Sequence, residues 1–298
     1  MRKTGAAALL LLLLLAGCAR TIRFQPKPTS PAAPPAPAPR DTHGPAAVPV
    51  AGRSLDRAWG RPERLVPGET LHYTILWFGL EVLRGELHVA DAPTLHDGRP
   101  HLTLTASARS TGLVRTLFSV EDTLSALVDP QTVLPAQFDF ALRHGGHRTA
   151  EVVTFDRAAR RAVSTRPGAS AGAGPSAPLA IPPDARDLLS TYYYLRTVDV
   201  AEGQTITEEF VAQGKLWPLT ATVRRRGLLT IPRGTFPAWE VEVETPWLEP
   251  YLHRRTLWLW VSEDAAHVPL MIRVKFSLGW LTALLDDCRP AWPPSPGT

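Results

Sequence analysis

The sequence is poor in cysteine and lacks several short motifs that mark common enzyme classes. Its 298 residues include two cysteines, Cys18 and Cys288, which excludes a disulfide-rich scaffold. No P-loop, G-x-G-x-x-G or C-x-x-C pattern occurs. The sequence signals of P-loop NTPases, dinucleotide-binding enzymes and thioredoxin-like proteins are therefore missing.

A strong charge of one sign and a long apolar run are lacking as well. The formal net charge is +4, which is too small to argue for a nucleic-acid partner. The longest charge-free apolar run, residues 6–16, has 11 residues. A membrane-spanning helix needs about 20. The composition instead fits a globular core, with 44% hydrophobic residues.

The N-terminus has the pattern of an export signal. Arg2 and Lys3 precede the short apolar run, and Cys18 follows in Leu15-Ala16-Gly17-Cys18, which resembles the bacterial lipobox. We expect cleavage of a signal peptide at residues 1–17 and acylation of Cys18, because several acyl chains on one residue hold a protein durably on a membrane. An ordinary secretory leader is the alternative. An alanine rather than an aspartate after Cys18 favours the outer membrane, facing the periplasm.

A proline-rich stretch separates Cys18 from the rest of the chain. Residues 25–52 contain nine prolines and show no apolar periodicity. Such a stretch favours an extended, polyproline-like conformation that could span roughly 85 Å at ~3.1 Å per residue. We therefore interpret residues 18–52 as the lipidated cysteine and a disordered tether that carries no chemistry.

From residue 53 onward, short apolar segments recur at roughly ten-residue spacing between turn formers, which predicts an all-β domain over 53–287. We expect an antiparallel, strongly curved sheet or a partly open barrel. A Gly/Pro-rich loop is predicted at 167–183, one short helix around 185–196 and a disordered tail at 288–298. Gly145 and Gly146 between two strand patterns predict a tight hairpin.

Candidate chemistry is sparse. His144 and His147 have the H-x-x-H spacing of a zinc site, but the sequence offers no obvious third ligand. Glu240, Glu242 and Glu244 alternate along one strand, which is typical of a solvent face and less often of a pair of catalytic carboxylates. We therefore predict no catalytic residue, no cofactor and no metal, and a protein that is not an enzyme.

Nine tryptophans are the other unusual feature, most of them in or beside strand patterns. One interpretation is core filling and cross-strand pairing. The other is an aromatic-lined cavity that holds an acyl chain or another apolar ligand, for which Trp77, Trp258 and Trp260 are the candidates.

Several phrases over about residues 65–285 resemble the family of exported bacterial proteins called domain of unknown function 3108. They are Gly68-Glu69-Thr70-Leu71-His72-Tyr73 leading to Trp77, Gly85, Asp187-Leu188-Leu189-Ser190, Tyr192-Tyr193-Tyr194-Leu195-Arg196, Gly203, Leu259-Trp260-Val261-Ser262-Glu263-Asp264 and Val268-Pro269. The resemblance implies an antiparallel β fold in an envelope protein and brings no established activity. The resemblance also makes Asp187, Arg196 and Asp264 candidates for a structural role. A buried pair of an aspartate with the arginine could hold the short helix against the sheet.

Together these patterns predict a membrane-anchored envelope lipoprotein that binds an apolar ligand or an envelope component. A scaffold or protein-interaction module is the alternative, in which the aromatic residues form an exposed patch. An envelope hydrolase would be a third class. It would need polar groups from distant segments to gather in one cleft.

Overall fold

The computed structural model describes residues 23–26, 61–166, 175–248, 256–276, 279–290 and 292. The predicted signal peptide, Cys18, residues 27–52 of the predicted tether and part of the Gly/Pro-rich loop lie outside the described residues. Within the described part of the chain, no helix is long and apolar enough to cross a membrane.

The described residues form seventeen strands, two short α-helices and two 3-10 turns, at Pro62–Arg64 and Pro246–Leu248. The strands of the first half are β1 (Arg23–Pro26), β2 (Thr70–Trp77), β3 (Leu80–Val89), β4 (Thr94–His96), β5 (Arg99–Ser110), β6 (Val120–Val128), β7 (Pro135–His144), β8 (His147–Asp156) and β9 (Arg161–Thr165). Those of the second half are β10 (Leu179–Ala180), β11 (Arg186–Asp187), β12 (Thr205–Ala212), β13 (Lys215–Ile231), β14 (Gly234–Glu244), β15 (Thr256–Ser262), β16 (Pro269–Phe276) and β17 (Gly279–Arg289). The helices are α1 (Gly112–Leu117) and α2 (Leu188–Thr197).

Sequential antiparallel pairing builds one large sheet. Strands β12 to β17 pair in chain order, and β17 pairs with β2, which joins the two halves of the domain. The sheet continues through β3, β5, β6, β7, β8 and β9 to β10. Strand β11 pairs in parallel with β12. The sheet curves without closing, which confirms the predicted fold class.

The core is shared between the concave sheet and α2. Tyr193 and Leu189 of α2 are buried with Leu104, Phe138 and Val153 of the first-half strands. A second cluster lies between α2 and strands β12 to β15, and a third between β15 to β17, β2 and the far end of the β13–β14 hairpin. The 10-residue helix packs into the concave side of the curved sheet, so that side is filled by side chains.

Strand β15 carries large apolar side chains on both of its faces, two of them tryptophans. Leu259 and Val261 belong to the cluster beneath α2, whereas Trp258 and Trp260 point to the opposite side and contact the third cluster. Alternate residues of a strand face opposite sides of the sheet, so β15 is apolar on both faces because both are covered. The strand lies centrally, between β14 and β16.

The predicted hairpin is confirmed. His144 lies opposite His147 as the last pair of β7 and β8, with Gly145 and Gly146 between them. Gly145 has a φ of +59°, a left-handed value that a two-residue hairpin turn needs and that glycine adopts without a steric penalty. The predicted helix is also present, at Leu188–Thr197 instead of 185–196, because Arg186 and Asp187 pair with β12 first.

Three boundaries differ from the expectation. The predicted tail at 288–298 is wrong for its first residues, because β17 runs to Arg289, Cys288 is buried, and the Trp292 ring stacks on Phe236 with centroids 5.7 Å apart. The predicted loop at 167–183 contains β10, which pairs with β9. The predicted tether begins inside a strand, since β1 includes residues 25 and 26.

Candidate functional site

Helix α2 begins at a fully buried aspartate. One carboxylate oxygen of Asp187 accepts hydrogen bonds from the backbone N–H groups of Leu189 at 2.7 Å and Ser190 at 2.9 Å. In return the Asp187 N–H donates to the Ser190 hydroxyl at 3.1 Å, which completes a capping box. Burial raises the pKa of Asp187 to about 6, and these hydrogen bonds only partly oppose that rise.

The other end of α2 is held by a buried ion pair. Arg196 donates through both terminal nitrogens to Glu69, at 2.6 Å to Oε2 and 2.9 Å to Oε1. The Arg196 side chain is 1% exposed and that of Glu69 is 8% exposed. Burial alone would lower the pKa of Arg196, but the hydrogen bonds and charge of Glu69 outweigh it and raise the pKa.

This arrangement corrects the predicted set of Asp187, Arg196 and Asp264. Arg196 is buried against a carboxylate as expected, but that carboxylate is Glu69, and Asp187 caps the helix instead. Asp264 accepts hydrogen bonds from the Ser262 hydroxyl at 2.9 Å and the Trp292 indole at 2.7 Å, so that it organises the loop after β15. Sequence reasoning missed Glu69, although the residue stands in the first phrase that carries the family resemblance.

A second buried pair lies next to the helix start. Arg186 donates to Glu208 of β12 at 3.2 Å, and both side chains are almost fully buried. The Arg186 guanidinium also stacks 3.6 Å from the ring centroid of Tyr194 and donates to the backbone oxygen of Thr132 at 3.1 Å. Both ends of α2 are therefore tied to the sheet by an arginine that has lost contact with water.

Tyrosines complete the buried polar region around Arg196. The Tyr73 hydroxyl donates to the backbone oxygen of Pro269 at 2.8 Å. Burial raises the pKa values of Tyr73, Tyr192 and Tyr193, so that all three stay protonated at neutral pH. Within the described part of the chain, the buried Tyr193 hydroxyl has no hydrogen-bond partner. These groups rigidify the helix contact, and none has a lowered pKa that would make it a nucleophile.

A small apolar cavity remains between α2 and the sheet. Its lining includes Tyr192, Leu195, Val223 and Leu259, with Arg196 and His267 at its polar side. The volume is about 30 Å³, which is enough for about one water molecule. Burial and the charge of Arg64 lower the pKa of His267, so that this imidazole is neutral at pH 7. An acyl chain does not fit beside α2 in this conformation.

The three tryptophans named as ligand-binding candidates do not line that cavity. Trp260 and Trp77 are buried within the sheet packing, and Trp77 lies beside Phe78 with ring centroids 5.2 Å apart. Trp258 is half-buried against Trp280, at 5.3 Å between centroids. Their placement is that of core and cross-strand residues.

Most of the remaining polar candidates have structural partners. His144 Nε2 lies 2.9 Å from Asp122, and the described residues contain no group of three histidine, cysteine or acidic side chains placed to hold a metal. Glu240 and Glu242 do not form a pair of free carboxylates, because Arg225 and Arg224 of β13 bind them.

One motif escaped the sequence analysis: Gly168-Ala169-Ser170-Ala171-Gly172 has the letters of G-x-S-x-G. A nucleophile elbow places that serine in a sharp turn between a strand and a helix. Residues 168–172 lie outside the described residues, and residues 175–178, which follow shortly after, are not helical. The strand–turn–helix context that would support a catalytic Ser170 is therefore not found on its C-terminal side.

Large apolar side chains are exposed at one end of the sheet. Phe78 in the β2–β3 turn is 59% exposed, and Leu113 and Leu117 on α1 are 76% and 62% exposed. They share this end because Leu83 of β3 lies opposite Ser110, and Val120 of β6 lies opposite His144. We call Phe78, Leu113 and Leu117 the apolar end. Arg115 lies on α1, and Arg143 and Arg148 are opposite one another beside the β7–β8 turn; Arg143 pairs with Glu121 at 3.4 Å.

Comparison with solved structures supports the fold assignment. The chain is similar to the crystal structure of a β-barrel-like protein of domain of unknown function DUF1849 from Brucella abortus, with a TM-score of 0.50 and 8% sequence identity. The match covers 76% of this chain and 98% of that one. At this identity the likeness concerns the fold alone. No curated protein has a significantly matching sequence.

A family model settles the relationship that the sequence phrases suggested. The model described as "Protein of unknown function (DUF3108)" matches residues 71–286, and this range contains α2 and all of the strands from β3 to β16. The chain belongs to the DUF3108 family of proteins of unknown function.

Proposed function

We propose that this protein is a lipid-anchored envelope protein whose β-domain binds a partner protein and catalyses no reaction. Acylated Cys18 attaches it to the outer membrane, facing the periplasm. The lipobox-like sequence supports the anchor, and the packed interior supports binding at the surface. The observation that carries the proposal is the apolar end, where Phe78, Leu113 and Leu117 are exposed at the same end of the sheet. Other large apolar side chains are exposed elsewhere on the described part of the domain: Leu95, Leu228 and Val66.

The interior argues against carriage of an apolar ligand. A site for a fatty acid or similar ligand occupies roughly 300 Å³ or more. The cavity beside α2 offers about 30 Å³, and two buried ion pairs fix the helix that would have to leave. Two larger cavities, of about 460 and 320 Å³, are lined mainly by charged and polar side chains, which do not suit an acyl chain. We therefore favour the interaction module over the carrier, and expect native mass spectrometry of the purified domain to find no copurifying lipid.

The apolar end has the chemistry of a protein contact. Leu113 and Leu117 are one helical turn apart on α1, so that their side chains lie on the same face. Arg115 lies between them in sequence, and Arg143 and Arg148 flank the neighbouring hairpin. A partner that suits this end has an apolar depression with an acidic rim, because charge complementarity at the rim favours correct encounters.

Site-specific photocrosslinking in the native host tests the proposal. A photoreactive amino acid at Phe78, Leu113 or Leu117 should give the same crosslinked band. Leu95 is the matched control, since it is 78% exposed but lies on β4 near the start of β5, at the opposite end of the sheet. Crosslinks of equal yield from Leu95, or none from the apolar end, would contradict the proposed surface.

The anchor is tested separately by intact-mass measurement on protein from the native host. We expect a mass that begins at Cys18 and carries acyl groups, and a Cys18→Ser variant that is released from the membrane fraction. An unmodified start at any other residue refutes the lipoprotein assignment but leaves the crosslinking result interpretable.

A further inference from the structure

Strand β1 occupies an edge of the sheet that none of the other described strands covers. It pairs antiparallel with β13, with Arg23 opposite Thr230 and residue 26 opposite Gly227. Strand β12 covers β13 only as far as Thr222, because β12 begins at Thr205. Without β1, residues 227–230 of β13 would expose unpaired N–H and C=O groups on that side, which invites wrong pairing. The pairing of β1 therefore has a physical reason.

The position of β1 in the chain places Cys18 close to the domain. Five residue steps separate Cys18 from Arg23, and a fully extended chain covers at most roughly 18 Å over that length. Arg23 is the end of β1 nearest the β13–β14 turn, since Thr230 is one residue before the end of β13. The chain therefore enters β1 from Cys18 at the end of the domain that carries the turn at residues 232–233.

Residues 27–60 join two fixed points of the same domain. One is residue 26, at the end of β1. The other is Arg61, whose N–H donates to the backbone oxygen of Thr197 at 2.7 Å and whose Nε donates to Asp199 at 2.9 Å. A segment fixed at both ends does not set the distance between the domain and a lipid on Cys18, whatever its length.

The charges next to Cys18 suit a lipid surface. Arg20, Arg23 and Lys27 follow the cysteine, and the first acidic residue after it is Asp41. Clustered cations beside an anchor bind anionic headgroups.

We infer that β1 moors the β13–β14 end of the domain within about 18 Å of the anionic lipid surface that holds Cys18. This inference rests on the proposed lipid anchor. The proline-rich segment is then a connection within the domain, and the apolar end faces away from the anchoring membrane, because β13 runs from that end towards the moored turn. The partner would approach from the side opposite the bilayer.

Energy transfer to labelled lipid headgroups tests the mooring on the full lipidated chain. The acceptor is a headgroup dye in vesicles of phosphatidylethanolamine and phosphatidylglycerol. The donor is attached to Pro232→Cys in the β13–β14 turn or to Leu113→Cys at the apolar end, and the native Cys288 is buried. We expect strong transfer from residue 232 and weak transfer from residue 113. Equal transfer from the two positions would overturn the inference.

Two insertions of the same Gly–Ser sequence separate a mooring from a tether. Inserted after Ala19, the sequence should reduce transfer from residue 232, because it lengthens the link between Cys18 and β1. Inserted after Ala46, it should leave transfer unchanged. Equal reductions by both insertions would show that residues 25–52 act as a spacer and would refute the mooring.

A further variant tests whether β1 carries the effect. Phe24→Pro with Gln25→Pro removes two N–H donors from β1 and should abolish its pairing with β13. The excess transfer, which is the transfer from residue 232 minus that from residue 113, should then be lost. Persistence of that excess would overturn the inference. Chemical attachment of a maleimide phospholipid to Cys18 of the chain from residue 18 onward repeats the measurements, with the donor carried by an azide-bearing amino acid at residue 232 or 113 instead of a cysteine. Failure of native acylation and failure of the mooring are thereby distinguished.

Discussion

Arginine–glutamate pairs occur in two regions of this domain that differ in their exposure to water. At the ends of α2, the pairs Arg196–Glu69 and Arg186–Glu208 are almost fully buried. Along the β13–β14 hairpin, three consecutive arginines pair with two glutamates of β14 and with Glu263, which follows β15. The arginine side chains are 39–49% exposed and the glutamate side chains 10–24% exposed. We call these three the ladder pairs: Arg224–Glu242, Arg225–Glu240 and Arg226–Glu263.

The comparison shows what each set of pairs contributes. A charge removed from water loses hydration worth several kcal/mol, and a partner in good geometry offsets that loss without a large net gain. A buried pair therefore fixes the position of α2 more than it stabilises the fold. The ladder arginines keep much of their hydration, although their glutamate partners are only 10–24% exposed. Such partly exposed pairs typically gain less than about 1 kcal/mol. They keep the hairpin soluble and in register.

The largest effect is expected when one member of a buried pair is removed. Glu69→Ala leaves the guanidinium of Arg196 buried and uncompensated, since arginine does not deprotonate in proteins. We expect the free energy of unfolding to fall by about 3–5 kcal/mol, measured by urea denaturation. Glu242→Ala in the ladder is the control. A loss of similar size in both variants would mean that burial does not distinguish the two regions.

A double replacement sharpens the same point. Glu69→Leu with Arg196→Met removes both charges and leaves apolar side chains of similar length. We expect it to lie within about 2 kcal/mol of the native protein, and to be more stable than Glu69→Ala, because no lone charge remains. Near-ultraviolet circular dichroism checks that α2 still packs. A double variant less stable than the single one would show that the pair itself supplies net stability.

Much of the fold could be predicted from the sequence because its signals are local. Alternation along β5, the Gly145–Gly146 turn and the short helix all follow from neighbouring residues. The N-terminal strand β1 could not be found this way. Its four residues, Arg-Phe-Gln-Pro, adjoin a proline-rich run, and they form a strand because β13 leaves an edge open more than two hundred residues later.

The buried site was predictable only in part, for the same reason. The helix phrase made Arg196 a candidate for burial against a carboxylate, but the sequence does not say which carboxylate the fold brings there. Glu69 and Arg196 are 127 residues apart, and their contact depends on the curvature that returns β2 to the end of α2. The sequence makes Asp187 the expected partner of Arg196. In the structure Asp187 caps α2 through local hydrogen bonds instead, and the sequence around it does not distinguish a helix cap from a partner of a distant arginine.

A pH experiment separates the two regions in a different way. Burial raises the pKa of Asp187 to about 6, whereas an unfolded aspartate titrates near 3.9. Between these values the native state holds a proton that the unfolded state has released, so the contribution of this group to stability falls as pH rises. Asp187→Asn keeps a capping oxygen and removes the titration.

We therefore expect the free energy of unfolding of the native protein to fall relative to Asp187→Asn by on the order of 2–3 kcal/mol between about pH 4 and pH 7. Urea denaturation at several pH values measures the difference. The same comparison for Glu242→Gln in the ladder should give nearly parallel curves. Parallel curves for Asp187→Asn would show that its carboxyl is not buried as an unpaired acid.

The smallest effect is expected in the ladder itself. Arg224→Ala removes a side chain that is 49% exposed. We expect Glu242 to regain access to water in its absence. The cost should be below about 1 kcal/mol and should shrink further in high salt, because screening acts on exposed charges. The buried pair predicts the opposite: the loss caused by Glu69→Ala should be nearly independent of salt. If added salt reduced both losses equally, water would reach Arg196, and the contrast between the two regions would not hold.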